Sequence, residues 1–333
     1  MRSDDAARSA VTTLPPVVES GVSFRALGTY VELRVADAGL DDEVGALARD
    51  VLAEVDATCS RFRDDSDLMH ANRRAGRWTA VSEVLIGMLR AALWAARETD
   101  GLVDPCLGDL LVAAGYDRTF ARLRPTSDPA VLPRRHDTDA WRRVEIEPGR
   151  IRVPHGCSLD LGAVGKGYAA DLVALTIVER YAVPAIVSVG GDVRVADVGG
   201  IPAGAFAPAW PVRIAPDRAA LDNPALAADL WLTAGAVATS SVTARRWVRG
   251  GTEWHHVIDP RTARSTAGPW CSVSALAPSA AAANAYATLG LVLGAAALPW
   301  YAVRGIPARL VGHGGDVVTT EAWASSAPEE DAC

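Results

Sequence analysis

Of the 33 basic residues in this 333-residue chain, 32 are arginine and a single one, Lys166, is lysine. Most exposed Lys-to-Arg exchanges cost little. A sequence this biased therefore keeps an ammonium mainly where a compact point charge is needed and a broad guanidinium fork does not fit. Lys166 lies in Gly162-Ala163-Val164-Gly165-Lys166-Gly167, at a turn from strand to helix. Backbone N–H groups at a helix N-terminus attract anions, and glycines let a phosphate come close to the chain. Residue type and spacing thus point to a phosphate site. The segment is not a P-loop, because it lacks the four-residue gap between glycines and the Ser/Thr after the lysine. A solvated lysine in a turn whose glycines only make the bend is the plainer alternative.

The elements around this loop follow from periodicity. Strand, glycine loop and helix are expected in one block from Ser158 to Arg180, and Ala185 to Val189 reads as a buried strand ending in Gly190-Gly191-Asp192. Strand is expected within Val22 to Val35, from the alternation of Val31, Leu33 and Val35, and helix from Asp41 to Cys59. A second helix is expected from Ser82, a candidate N-cap, to Thr99, with Gly101 as its stop. Pro148-Gly149 sits between two short apolar runs and predicts a hairpin. Short strands are expected near 211–215, 229–239 and 254–258, then strand at Cys271–Leu276, helix at Ala280–Leu293 and strand over Ala308–Val318. The fold class is α+β.

Composition narrows the function. Half the residues are hydrophobic and 22% are charged, the profile of a soluble globular protein, and the length suits one large domain or two packed lobes. A net charge of -7 without basic runs speaks against nucleic-acid binding, which needs a basic surface. Five scattered cysteines form neither a disulfide framework nor a zinc spacing and read as buried thiols. Residues 1–20 and 322–333 read as tails flanking a domain over 21–321. Without an apolar leader or a stretch of about 18 apolar residues, the expectation is a cytoplasmic chain with no membrane span.

Read as one block, Ser158-Leu159-Asp160-Leu161-Gly162-Ala163-Val164-Gly165-Lys166-Gly167-Tyr168-Ala169-Ala170-Asp171 resembles the signature of the ApbE family of FAD:protein FMN transferases. Four further blocks agree in order: Ser60-Arg61-Phe62 followed by Ser66 and Asn72; Thr99-Asp100-Gly101-Leu102-Val103-Asp104-Pro105; Gly190-Gly191-Asp192; and His255-His256-Val257-Ile258-Asp259-Pro260. The resemblance spans residues 24 to 320 and implies a two-lobed α+β fold with an FAD cleft between the lobes. It implies that Tyr30, Phe62, Leu102, Val103, Asp104, Asp160, Lys166, His256 and Val257 bind the cofactor, and that Lys166, His256 and Asp259 carry the chemistry. On the residues alone, Phe62, Leu102 and Val103 serve equally as core, and one of the paired histidines as a structural ring.

The resemblance further implies Mg2+ held by the Ala163 backbone carbonyl together with residues 284 and 288, which are one helical turn apart. The family has Asp and Thr there, whereas this chain has Asn284 and Thr288, so one negative charge is missing. Two glycines of the family's later blocks are replaced as well, by Ser241 and Ala263. The implied reaction splits FAD, releases AMP and leaves FMN on a Ser/Thr hydroxyl of a client flavoprotein bearing Asp-x-x-(Ser/Thr)-Gly-Ala-(Ser/Thr). This chain holds no copy of that pattern, so modification is expected in trans. FAD pyrophosphatase activity and FAD binding without turnover are the alternatives, and a homodimer is left open.

Overall fold

The computed structural model describes residues 11–13, 21–131, 136–199 and 209–325. Its centre is an eight-stranded sheet. Numbered along the chain, its strands are β1 (Val22–Ala26), β2 (Thr29–Val35), β3 (Ala185–Val189), β4 (Asp192–Ala196), β5 (Gly235–Ser241), β6 (Trp270–Ala277), β7 (Ala308–Gly312) and β8 (Val317–Thr319). Their order in the sheet is their order in the chain, and every neighbouring pair is antiparallel. Long excursions between β2 and β3, between β5 and β6, and between β6 and β7 bring in the segments that carry the chemistry.

Helices cover one face. Helix α1 (Asp41–Cys59) buries Val44, Ala48, Leu52 and Val55, the stripe its periodicity predicts. Helices α2 (Asp67–Arg73) and α3 (Glu83–Glu98) start at Ser66 and Ser82, whose side chains accept from the Met69 and Leu85 backbone N–H groups. A short helix α4 (Gly108–Ala113) precedes α5 (Gly165–Tyr181) and α6 (Ala280–Leu293), which pack on the sheet and on each other. On the opposite face lies a small sheet of residues 11–13, 210–215 and 228–232. There Trp210, Val212, Ile214, Leu230 and Trp323 pack on Ile186, Val193, Val195 and Val237.

Several expectations need correction. The strand expected over 229–239 is two, Ala228–Leu232 and β5, separated by a bend at Thr233 and Ala234. The strand over 308–318 is the β7–β8 hairpin. Ser158–Leu161 joins no sheet; its backbone bonds to Asn72 and to the 105–108 turn instead. The tails are not wholly outside the fold: Val11–Thr13 pairs with Arg213–Ala215, and Trp323 is buried at the end of helix Glu321–Ala324. The rest of the 1–20 tail and residues 326–333 lie outside the described residues.

By length and composition the 25-residue helical run Ala280–Arg304 is apolar enough to cross a membrane, contrary to the sequence reading. Yet 67% of its apolar window is buried inside the protein, and Gly294 (φ +58°) separates α6 from α7 (Ala297–Arg304). It is accounted for as core.

Candidate active site

The segments that leave the sheet converge on one cleft, enclosing about 150 Å3 and open at its mouth. One wall carries Arg61, Phe62, Leu102, Val103, Asp104 and Tyr116. The glycine loop contributes Asp160, Gly162, Ala163 and Lys166, the β5 end Thr239 to Ser241, the facing loops Arg245, His256 and Val257, and helix α6 Asn284 and Thr288. A second, wide-open surface depression, bounded by His70, Arg73, Arg74 and Trp78, gathers no comparable set of groups.

Each wall has an identifiable support. After α3, Asp100 (φ +48°) and Gly101 (φ +80°) reverse the chain, and the Thr99 hydroxyl accepts from the Val103 N–H at 3.0 Å. A Cβ on Gly101 would come 2.7 Å from Trp141 Nε1, so the turn needs glycine for space as well as for φ. The glycine loop is clamped by Asn72, which donates to the Leu159 carbonyl at 3.0 Å and accepts from the Leu159 N–H at 2.8 Å. That fixes Asp160 next door, whose Oδ1 accepts from the Gly162 N–H at 2.8 Å. Its Oδ2 takes the Arg61 Nε at 2.5 Å. Arg61 also donates to the Tyr116 carbonyl at 2.7 Å, and its guanidinium lies over the rings of Phe62 and Tyr116 at 4.5 and 5.1 Å.

The α5–α6 junction sets the opposite end. A Cβ on Gly167 would sit 2.2 Å from the Ala280 carbonyl oxygen, so only glycine allows the helices this close. Asp171 on α5 accepts from the N–H groups of Ala280 and Ala281, satisfying the first turn of α6. Asn284 and Thr288 thereby line the cavity, with Asn284 beside Lys166.

Electrostatically the site is built around a buried carboxylate. Asp192 Oδ2 accepts from Lys166 Nζ and from Asn284 Nδ2, each at 2.8 Å. Burial raises the Asp192 pKa, against the lowering effects of Lys166 and Asn284. Its Oδ1, the Asn284 Oδ1 and the His256 Nδ1 are buried atoms without a hydrogen-bond partner among the described residues. Burial, then the charges of Arg245, His255 and Lys166, pushes the His256 pKa well below 6.5, so the ring is neutral at physiological pH.

A sequence profile of the ApbE family matches residues 27–318. The chain belongs to the ApbE family. An FAD:protein FMN transferase of Treponema pallidum is 31% identical over 287 residues, covering 80% of this chain and 77% of that protein. One of Salmonella typhimurium is 27% identical, covering 85% and 81%. The crystal structure of an ApbE protein from Thermotoga maritima superposes with a TM-score of 0.76 at 25% identity, covering 93% of this chain and 99% of that one. The flavin transferase ApbE of Vibrio cholerae, at 21% identity and a TM-score of 0.67, covering 95% and 99%, shares the fold.

The ApbE blocks read from the sequence thus meet in one place, but not every residue taken from them does. Phe62, Leu102, Val103, Asp104, Asp160, Ala163, Lys166, His256, Val257, Asn284 and Thr288 line the cavity. Tyr30 does not. It is 50% exposed on the face of β2 opposite Val31, with the guanidinium groups of Arg25 and Arg218 over its ring at 4.6 and 5.5 Å. Alternation along β2 turns Val31 inward and Tyr30 outward. Asp259 does not line it either, because both its oxygens are held by Arg261 in a bidentate pair. The adjacent histidines divide as alternation requires: the buried His255 ring bonds to the Thr266 carbonyl, while His256 faces the cavity.

Sequence reading gave no role to Asp192, Arg61, Arg245 or Tyr116, although Asp192 and Arg61 stand inside quoted ApbE blocks. A carboxylate directly after Gly-Gly at a strand start was the available signal for Asp192. The donor set fits a hard divalent cation: the buried carbonyl oxygen of Asn284 lacks a donor, Thr288 lies one turn away, and Asp192 supplies negative charge behind them.

Proposed function

We propose that this chain transfers the FMN half of FAD to a Ser or Thr hydroxyl of a client protein, with release of AMP. The observation that carries the proposal is a cavity with an anchored ammonium, Lys166, on one side and a neutral imidazole with a bare buried nitrogen, His256, on another. The likeness to relatives named FAD:protein FMN transferase supports it.

In this reading the acceptor oxygen attacks the phosphorus on the FMN side, and the bond to the bridging oxygen breaks. AMP leaves with that oxygen. Lys166, held by Asp192 at the start of α5, offers positive charge to the non-bridging oxygens as charge builds on them. His256, neutral and lining the cavity, would accept the hydroxyl proton. The aromatic and apolar wall of Phe62, Leu102, Val103 and Tyr116 covers the flavin. Asn284, Thr288 and the Ala163 carbonyl would hold Mg2+, which when bound neutralises pyrophosphate charge as a Lewis acid.

The test is incubation with FAD, Mg2+ and a peptide carrying Asp-x-x-(Ser/Thr)-Gly-Ala-(Ser/Thr). Flavin fluorescence covalently on the peptide with one AMP per modification is the expected result. Free FMN and AMP without labelled peptide would make water the acceptor, and bound but intact FAD would remove the activity altogether.

A further inference from the structure

An asparagine that must act as a cation ligand has a problem an aspartate lacks. Its two terminal atoms differ, and only one of them, the carbonyl oxygen, can coordinate a cation. In this chain the choice is settled by a neighbour 92 positions away. Asn284 Nδ2 donates to Asp192 Oδ2 at 2.8 Å, a charge-assisted bond that a flipped amide would replace with oxygen against oxygen. Asn284 Oδ1 is left buried and without a donor on a residue that lines the cavity. Asp192 is fully buried, has a second oxygen without a partner, and stands directly behind Lys166 and Asn284.

We propose that Asp192 is a positioning residue of the cation site. It locks the Asn284 amide with its oxygen toward the cation and sets a carboxylate directly behind that amide. The inference rests on the cation-site reading above, and Asp192 acts through Asn284 rather than as one of the groups facing substrate.

The experiment is titration of the metal-free protein with Mn2+, followed by electron paramagnetic resonance of the free ion in the presence of ADP as a pyrophosphate-bearing probe. Melting temperatures of the metal-free variants are recorded alongside. Asp192→Asn removes the charge and lets the 284 amide turn either way, and should weaken Mn2+ binding by about 10- to 100-fold, the usual effect of losing an orienting partner. Adding Asn284→Asp in the same chain supplies a carboxylate with an oxygen on every side, which needs no orientation, and should restore the affinity to within a few-fold. Asn284→Asp alone completes the cycle: a role for Asp192 in holding the fold or Lys166 alone would let Asp192→Asn cost the same factor with and without Asn284→Asp, whereas a role through the amide shrinks that cost once Asn284→Asp is present.

Wild-type affinity in Asp192→Asn would overturn the proposal, as would failure of Asn284→Asp to rescue a variant that melts as a folded protein. Should Asp192→Asn alone fail to fold, the double variant decides: tight Mn2+ binding supports the proposal and weak binding overturns it. If the wild-type chain itself binds no Mn2+ with ADP, the cation-site reading falls first and this inference with it. Flavin transfer with FAD tested separately would then show whether the wider function survives.

Discussion

An ammonium held 2.8 Å from a carboxylate is pinned in place, and a pinned cation stabilises developing charge without first having to reorganise. Lys166→Ala should therefore slow FMN transfer by about a hundredfold or more while the chain still folds. Lys166→Arg is the sharper test, because a fork must fit where Asp192 leaves room for one compact donor beside the tightly packed Gly167. A clear loss of kcat is expected there, and full activity would show that any cation serves. Lys166 was legible because composition isolated it. Asn284 was legible only as a missing charge, since the carboxylate that offsets it is found by a contact between β4 and α6 that no local pattern reports. Tyr30, assigned to the cofactor by the resemblance, lies outside the cavity because the strand's own alternation turns its ring outward.

At the scale of elements, the α5–α6 junction is where packing becomes geometry at the site. Gly167→Ala drives a methyl group to 2.2 Å from a backbone oxygen, which only a separation of the helices relieves. Overpacking of this kind costs about 1–3 kcal/mol. Urea denaturation should show that loss, and the KM for FAD should rise because Asn284 and Thr288 move away from Lys166. Unchanged stability and KM would place the tight approach outside the design of the site. The glycines of this loop were read as openings for phosphate; Gly167 in fact serves helix packing. Helices α1 and α6 were legible to the residue, α1 by its apolar stripe and α6 as a continuous apolar run opened by Ser279 and closed by Gly294. The segment 158–161 was not, because an extended run becomes a strand only if a partner strand lies alongside, and here Asn72 takes that place.

For the whole molecule, burial of His255 and His256 ties stability to pH. Desolvation lowers both pKa values in the folded chain, so the unfolded chain binds more protons once the pH falls below 6.5. Their stabilising contribution is fully present above that value and is lost as the pH drops through the folded values. The buried Asp171 and Asp192, whose pKa values burial raises from 3.8, act in the opposite sense, losing stability as the pH rises through their folded values. Melting temperatures recorded from about pH 8 to about pH 5 should fall on the acid side, and His256→Asn should flatten part of that fall. An unchanged slope in the variant would mean the ring is solvated. The sheet adds a consequence in time. Its strands are laid down in chain order from β1 to β8, yet the cavity draws on residues from Arg61 to Thr288. A nascent chain can pair strands progressively as it leaves the ribosome, from one edge of the sheet toward the other. It cannot assemble the cavity until α6 has emerged, so a polypeptide abandoned earlier in synthesis would hold much of the sheet but no complete site for its nucleotide.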